Sequence, residues 1–384
     1  MINIINKKKL QGLDKWLILA VCGLTVFGIV CIGSALHINL GNDASSYHSQ
    51  MIFFATGIII MLVMALIDID YFSRFDKLLY IFNVAMLVAV ILVGYSANNA
   101  VRWIKIGPVR LQPSEFSKVI MIFCMANFID KKKDSINNIR VLIFMCILEA
   151  VPILLVFMQP ALSASMVMLF IFCVQIFTAE LDYKLIRRVL IVAVPIVAII
   201  VLDALREDPI FVDLIFKDYM ITRIRDLFIQ DPSSDTYYQT IKSISAISSG
   251  QLTGKGLYQG TLNQLSYLPE PQNDFIFSVI GEEFGFVGCM SVLALLFFII
   301  IRCILIAMEA REMKDRLIAS GVAGMLFFQT FVNVGVATGI MPNTGMSLPF
   351  VSSGGSSLWT SMAAVGLVLN IGLRRSKTLF EGEY

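Results

Sequence analysis

The sequence predicts an all-α polytopic membrane protein with about ten transmembrane helices, formed by one domain over residues 1–384. The chain is 57% hydrophobic and 15% charged, and its mean hydropathy is +0.79. Soluble domains carry roughly 25% charged residues, so the composition excludes an ordinary soluble fold. Apolar runs near bilayer-spanning length recur along the whole chain. They cover residues 16–36, 51–68, 77–95, 115–130, 141–158, 162–179, 188–205, 275–302, 317–340 and 355–373.

The first apolar run, residues 16–36, is too long for a signal-peptide core and lacks a small-residue cleavage site, so we interpret it as a retained span. Lys and Arg concentrate in the connections that an inside N-terminus places in the cytoplasm, for example residues 131–133 and 184–188. This bias predicts that the N- and C-termini are both cytoplasmic.

The same orientation places a long segment, residues 206–272, on the outer side between helices seven and eight. Connections of this length are usually functional. Its first part, residues 208–231, mixes apolar and charged residues at near-helical spacing. We therefore expect one or two amphipathic helices lying on the outer membrane surface.

Charge and cysteine usage exclude several function classes. The net charge is +2, and the charges lie between apolar runs and form no basic face, so no nucleic acid partner is expected. The seven cysteines fall inside apolar runs without CxxC spacing, so the sequence predicts neither a disulfide framework nor a zinc site.

Four polar clusters lie on the predicted outer side, where ionisable residues near a membrane are functional candidates. The first cluster, residues 98–119, contains Arg102, Gln112, Glu115 and Lys118. Glu115 and Lys118 are three residues apart at the start of a helix and share a face. An interfacial anchor would use the same Trp and Arg residue types, and composition alone favours that alternative.

The second cluster, residues 158–165, is a turn broken by proline. The third, residues 237–277, is rich in Gly and Ser and contains Lys242, Glu270 and Asp274. An Asp directly before a helix is commonly its N-cap.

Capping would not explain Glu282 and Glu283, which lie two turns further along that helix. For these two we expect a position lining a water-filled cavity that opens outward.

The fourth cluster, residues 341–359, places Gly354, Gly355 and Ser356 before a helix. Free backbone N–H groups at a helix start form an anion site suited to phosphate. Capping of the helix by serine is the simpler interpretation, and the two are compatible. Among ionisable residues, Glu149 alone falls in the middle of a predicted span.

Together these clusters resemble the SEDS family (shape, elongation, division and sporulation), which includes RodA, FtsW and SpoVE. The stretches that carry the resemblance are VRWIKIGPVRLQPSEFSK, QPALSAS, AISSGQLTGKGLYQGTLNQLSYLPEPQNDFIFSVIGEEFGFVG and MPNTGMSLPFVSSGGSSL. They occur in the family's order, and GKGLYQGT is more similar to the RodA branch than to the division branch.

The resemblance implies a peptidoglycan glycosyltransferase of the bacterial cytoplasmic membrane. Such an enzyme polymerises lipid II, the undecaprenyl-pyrophosphate-linked precursor, at the outer face and works with a class B penicillin-binding protein. The family's essential Asp corresponds to Asp274, and its Glu and Lys correspond to Glu115 and Lys118.

The implied reaction is attack of a sugar hydroxyl on the donor's anomeric carbon, with inversion and loss of undecaprenyl pyrophosphate. Asp274 is the expected general base. The leaving group needs stabilisation of negative charge, for which Arg102, Lys118, Lys242 and the helix start at residues 354–357 are the candidates. A divalent cation, Mg²⁺ or Mn²⁺, could share that role, but no ligand cluster in the sequence requires one.

The chain departs from the family pattern at several positions. Ala161 stands where the family usually has Asp, Ser163 where it has Gly, Ser353 where it has Tyr, and residues 248–251 read SSGQ in place of GSGG. Two alternatives therefore stay open: a lipid II flippase, and a catalytically weak scaffold for a penicillin-binding protein. A flippase would need polar residues spread through the membrane depth, whereas these clusters gather at one face.

Overall fold

The computed structural model describes residues 12–36, 40–97, 100–107, 109–159, 161–206, 234–268 and 270–381, with single residues 210, 212, 221 and 225. Within these ranges lie ten long helices. They are α1 Lys15–Ala35, α2 Leu40–Leu66, α4 Asp76–Val93, α5 Pro113–Lys131, α6 Ile139–Met158, α7 Leu162–Thr178, α8 Tyr183–Ala204, α11 Ile276–Glu309, α12 Met313–Ala337 and α13 Gly355–Glu381.

Three shorter helices complete this set: α3 Ile69–Ser73, α9 Asp235–Ser249 and α10 Thr261–Gln264.

Seven of the long helices are long and apolar enough to cross a membrane, namely α1, α2, α4, α6, α11, α12 and α13. Helix α7 is apolar but shorter. The helices follow the predicted apolar runs closely, because a lipid environment requires long uninterrupted apolar segments. Helix α12 is the centre of the bundle and packs against α5, α7, α11 and α13.

A small antiparallel sheet departs from the all-α prediction. Its strands are β1 Tyr95–Ala97, β2 Ala100–Ile106 and β3 Val109–Leu111, with β2 in the middle. The turn between β2 and β3 contains Gly107 at φ +62°, and Lys105 pairs with Arg110 across it. The sheet carries the first polar cluster and leads directly into α5, whose first residue is Pro113, a favoured residue at that position.

Helix α11 is interrupted at Gly285, whose backbone lies at φ 65° and ψ −160°. A Cβ at this position would lie 2.4 Å from the backbone nitrogen of Gly254, so the loop that precedes α11 passes directly against the helix. The conformation and the close approach both require glycine. The break lets the first turns of α11 pack against this loop.

Residues 341–354, between α12 and α13, are named the re-entrant segment for their buried, non-helical backbone. They are not helical, yet Leu348 and Val351 are buried. A Cβ on Gly28 of α1 would lie 2.7 Å from the Cα of Val351, and Gly28 is two turns, about 10 Å, from the C-terminal end of that helix. Irregular backbone is tolerated at such depth where protein surrounds it. This segment carries the fourth polar cluster.

The long segment after α8 was predicted to begin with one or two amphipathic helices, and this stays a prediction. Most of residues 208–231, where amphipathic helices were predicted, lie outside the described residues. An amphipathic helix, α9, lies further along, in the third polar cluster, and packs against α11.

Candidate active site

Asp274 is half-buried and lies in the turn that precedes α11. The helix begins at Ile276, and Phe275 occupies the N-cap position without a side-chain cap. Asp274 therefore lies one position before the N-cap residue. Its placement depends on contacts outside α11.

Three consecutive carbonyl groups, those of residues 272–274, each accept a hydrogen bond from another part of the chain. The Ser353 amide donates to the first at 2.8 Å, and the Ser352 hydroxyl donates to the second at 2.7 Å. The side-chain amide of Asn333 in α12 donates to the third, that of Asp274, at 2.9 Å. The two serine bonds join the third and fourth polar clusters, and the Asn333 bond joins the third cluster to α12.

The re-entrant segment also passes the Asp274 side chain. Gly345 has φ +69°, and a Cβ there would lie 3.5 Å from Oδ2 of Asp274. The next carbonyl, that of Met346, accepts a second hydrogen bond from Asn333 at 2.6 Å. Asp274 and the fourth cluster therefore share one support, Asn333, which the sequence reading missed. The feature of the sequence that indicates it is a polar Asn within the apolar run FFQTFVNVGV.

Glu115 and Lys118 form an ion pair in the first turns of α5. The Lys118 ammonium lies 2.8 Å from both carboxylate oxygens of Glu115. Lys118 is 1% exposed and Glu115 is 8% exposed. The predicted shared face is confirmed, and in this structure Glu115 neutralises the Lys118 charge.

Gln112 and Ser356 connect the first and fourth clusters. The backbone N–H of Gln112 donates to the Ser356 hydroxyl at 3.0 Å. That hydroxyl in turn donates to the Arg110 carbonyl at 3.5 Å. Ser356 is 2% exposed, so its hydroxyl serves this link. The Gly354 amide donates to the side chain of Gln50 at 3.2 Å. Part of the predicted anion site at residues 354–357 is thus engaged within the protein, and Gly355 is the first residue of α13.

The remaining cationic candidates lie on two different elements. Arg102 is half-buried on β2, beside α4 and α5. Lys242 is half-buried on α9, and its ammonium lies over the rings of Tyr238 and Tyr267, 5.1 and 4.8 Å from their centroids. Such cation–π contacts hold a lysine in place while its charge remains.

Glu282 does not line a cavity as predicted, because it is completely buried. Its carboxylate accepts hydrogen bonds from Lys255 at 2.7 Å and from the amides of Leu262 and Asn263 at 2.8 and 3.1 Å. The hydroxyl of Thr261 lies 3.2 Å from the same group. Glu282 therefore holds residues 255–263 against α11.

The two other acidic candidates also have structural contacts. Glu283 is 1% exposed and accepts a hydrogen bond from the Ser34 hydroxyl of α1, so the cavity-lining expectation is wrong here too. Glu270 is exposed and accepts bonds from the side chains of Gln272 and Asn273 at 3.0 and 2.9 Å. It shapes the turn that leads to Asp274.

The second cluster connects α6 to α7. Ala161 is buried at the N-cap position of α7, with no side-chain cap. An Asp at such a position would accept a backbone hydrogen bond, so this departure from the family pattern concerns the helix start. The Ser353 departure leaves its bond to residue 272 intact, because that bond joins two main-chain groups.

Glu149 is buried within α6, near Pro152. Because Pro152 has no N–H, the carbonyl four residues earlier loses its helical partner. That carbonyl, of Leu148, accepts the Tyr80 hydroxyl at 3.0 Å. In the part of the chain that the structure describes, no group of three or more His, Cys, Asp or Glu is placed to hold a metal ion.

The comparisons agree with this architecture. A family model described as "Cell cycle protein" (FTSW_RODA_SPOVE) matches residues 15–377. The chain belongs to the FtsW, RodA and SpoVE family. The "Peptidoglycan glycosyltransferase MrdB" of Escherichia coli K12 is 37% identical over 371 residues, which cover 94% of each chain.

Two solved structures extend the match to the fold. One, described as "Structural coordination of polymerization and crosslinking by a peptidoglycan synthase complex", has a TM-score of 0.78 and 29% identity, covering 94% of this chain and 98% of the other. The crystal structure of Thermus thermophilus RodA has a TM-score of 0.67 and 26% identity, covering 94% and 97%. With its apolar helices, this family member is a multi-pass protein of the cytoplasmic membrane.

Proposed function

We propose that this family member is a peptidoglycan glycosyltransferase that polymerises lipid II at the outer face of the cytoplasmic membrane. A hydroxyl of the acceptor sugar attacks the anomeric carbon of the donor, and undecaprenyl pyrophosphate leaves with inversion. The observation that carries the proposal is the set of hydrogen bonds that holds the turn of Asp274 against the re-entrant segment and α12. The name of the E. coli relative supports the reaction class.

Asp274 acts as the general base. A sugar hydroxyl is a weak nucleophile, and a base within hydrogen-bond reach contributes about 10²–10⁴-fold. The carboxylate is half-buried beside Gly345, where the absence of a side chain leaves room for an approaching substrate. Glycine at this position thus serves both the backbone conformation and access to the base.

Cationic groups on three elements stabilise the leaving pyrophosphate. Arg102 on β2, Lys242 on α9 and the start of α13 supply positive charge or free N–H groups. Lys118 is paired with Glu115, so it contributes as a neutral pair unless substrate separates the two. A divalent cation bound with the pyrophosphate remains part of the proposal.

All ten long helices cross the membrane in this proposal, and both termini are cytoplasmic. The lysine and arginine bias of the connections supports this orientation. Lipid tails of donor and acceptor stay in the bilayer beside the bundle. Holding both substrates in one plane raises their effective concentration.

The partner is a class B penicillin-binding protein that cross-links the new strands. A structural neighbour belongs to a complex described as coordinating polymerisation and crosslinking, which supports such a partner.

The test is polymerisation of fluorescent lipid II by purified protein, with wild type compared with Asp274→Ala. Polymer from the wild type and none from the variant is the expected result. Absence of polymer from both proteins, with the cognate transpeptidase present, would favour the scaffold or the flippase. Equal polymer from both would exclude Asp274 as the base.

A further inference from the structure

Asn333 lies in α12, one turn before the helix ends at Ala337, and is 1% exposed. The helix packs against five neighbouring helices, α5, α7, α9, α11 and α13, so the tightly packed core fixes its position. A buried amide in an apolar helix is costly unless its polar atoms are used. The contacts of this side chain therefore indicate why it is tolerated.

The amide nitrogen of Asn333 donates to two carbonyls, those of Asp274 at 2.9 Å and Met346 at 2.6 Å. Both acceptors are oxygens, so the network itself determines which end of the amide faces them. The other end, Oδ1, is buried and has no hydrogen-bond partner among the described residues. Among the described residues, the hydrogen bonds of the Asn333 side chain are therefore made by its amide nitrogen and not by Oδ1.

We propose that Asn333 is a positioning residue for the transfer reaction, acting through Asp274. This inference rests on the proposed role of Asp274 as the base. Of the three described donors to residues 272–274, two belong to the re-entrant segment, whereas Asn333 belongs to a helix. Asn333 therefore fixes both the turn and the segment relative to the core. A misplacement of about 1 Å near a reacting group can cost about 10²-fold in rate.

A purely structural role makes a different prediction. If Asn333 merely supported folding, its loss would lower thermal stability and weaken substrate binding along with the rate. A positioning role lowers kcat while KM for lipid II stays nearly constant, because the binding surface remains. Comparing the change in kcat with the change in KM therefore distinguishes a positioning role from a purely structural one.

The experiment uses the full-length protein with its cognate transpeptidase and fluorescent lipid II. Asn333→Leu removes both hydrogen bonds at similar volume. Asn333→Asp keeps the shape, but a protonated carboxyl can donate at most one of the two bonds. The matched control is Thr330→Val, since Thr330 is buried on the same helix and its hydroxyl bonds to Leu326 of that helix.

We expect Asn333→Leu to lower kcat by about 10²-fold with KM changed less than about threefold. Asn333→Asp should lower kcat by a smaller factor, again with a nearly constant KM. If Asn333→Leu does not fold, the kinetics of Asn333→Asp provide the test. Thr330→Val should behave as wild type. Unchanged kcat in both Asn333 variants, or a parallel change of KM and melting temperature, would overturn the inference. Polymer made by the wild type in the same assay keeps the proposed function separate from this outcome.

Discussion

The Lys118 ammonium lies 2.8 Å from each carboxylate oxygen of Glu115, in a pair that is almost fully removed from solvent. Taking two charges out of water is costly, and their mutual attraction compensates only while both are present. The pair is thus more sensitive to loss of one partner than to loss of both. This asymmetry can be measured.

Removing one member of the pair should be strongly destabilising. Lys118→Met leaves Glu115 buried and unpaired, which typically costs about 3–5 kcal/mol. The double variant Glu115→Gln with Lys118→Met should recover most of the lost melting temperature, because no buried charge remains. Thermal unfolding of the detergent-purified proteins measures the effect. A double variant as unstable as Lys118→Met would show that the pair does not act as a unit.

The same variants test the role of the pair in transfer. If the pair contacts substrate, the stable double variant should still polymerise fluorescent lipid II poorly. Polymerisation at the wild-type rate by the double variant would limit the pair to a structural role.

Glu282 should control the conformation of residues 255–263. Its buried carboxylate accepts bonds from Lys255 and from two backbone amides. Glu282→Gln turns one oxygen into a donor that faces these donors, so the loop should detach. Trypsin cleaves after lysine, and we expect cleavage after Lys255 to accelerate in the variant reconstituted in nanodiscs. Glu270→Gln, an exposed carboxylate of the same outer segment, should leave that cleavage rate unchanged; equal acceleration would point to a general loosening.

Local pattern predicted the helices but not their polar contacts. Hydropathy located the long helices because each must satisfy the same lipid environment along its own length. Glu282 binds Lys255, which lies 27 residues away in the sequence, and the Asp274 carbonyl binds Asn333, which lies 59 residues away. Such contacts depend on how the helices pack, which no local spacing encodes.

The small sheet and the cap of α11 were missed for related reasons. Residues 95–111 alternate too briefly for a strand pattern to stand out from an interfacial loop. Asp274 has the residue type of a cap, but it lies one position before the N-cap residue, and its carbonyl accepts a hydrogen bond from Asn333.

Gln251 should be a strained position. It has φ +50°, its side chain is exposed, and it stands where the family pattern has Gly. A non-glycine residue in the left-handed region costs about 1 kcal/mol or more. Gln251→Gly should therefore raise the midpoint of thermal unfolding without loss of polymerisation.

Gly254 provides the opposite control for this position. It also has a positive φ, +80°, and a Cβ there would lie 2.1 Å from the Glu283 carbonyl. Gly254→Ala should lower the midpoint. A destabilising effect of Gln251→Gly would show that its side chain makes a contact worth more than the strain.

Asp70 should make the contact of α3 with α12 and α13 sensitive to acid. It lies in α3 and accepts hydrogen bonds from Lys314 of α12 and Arg374 of α13. Partial burial raises the pKa of the Asp70 carboxyl, but the bonds and charges of Lys314 and Arg374 outweigh it, so the pKa lies below its usual value.

A lowered pKa means that the stabilisation is present above the unfolded-state pKa, about 3.9, and is lost as pH falls through the folded-state pKa. As pH falls below about 3.9, melting temperatures should therefore fall less steeply for Asp70→Asn than for wild type. Asp134→Asn, an exposed carboxylate in the short turn after α5, should follow the wild-type curve. Parallel curves for wild type and Asp70→Asn would contradict the linkage between α3, α12 and α13.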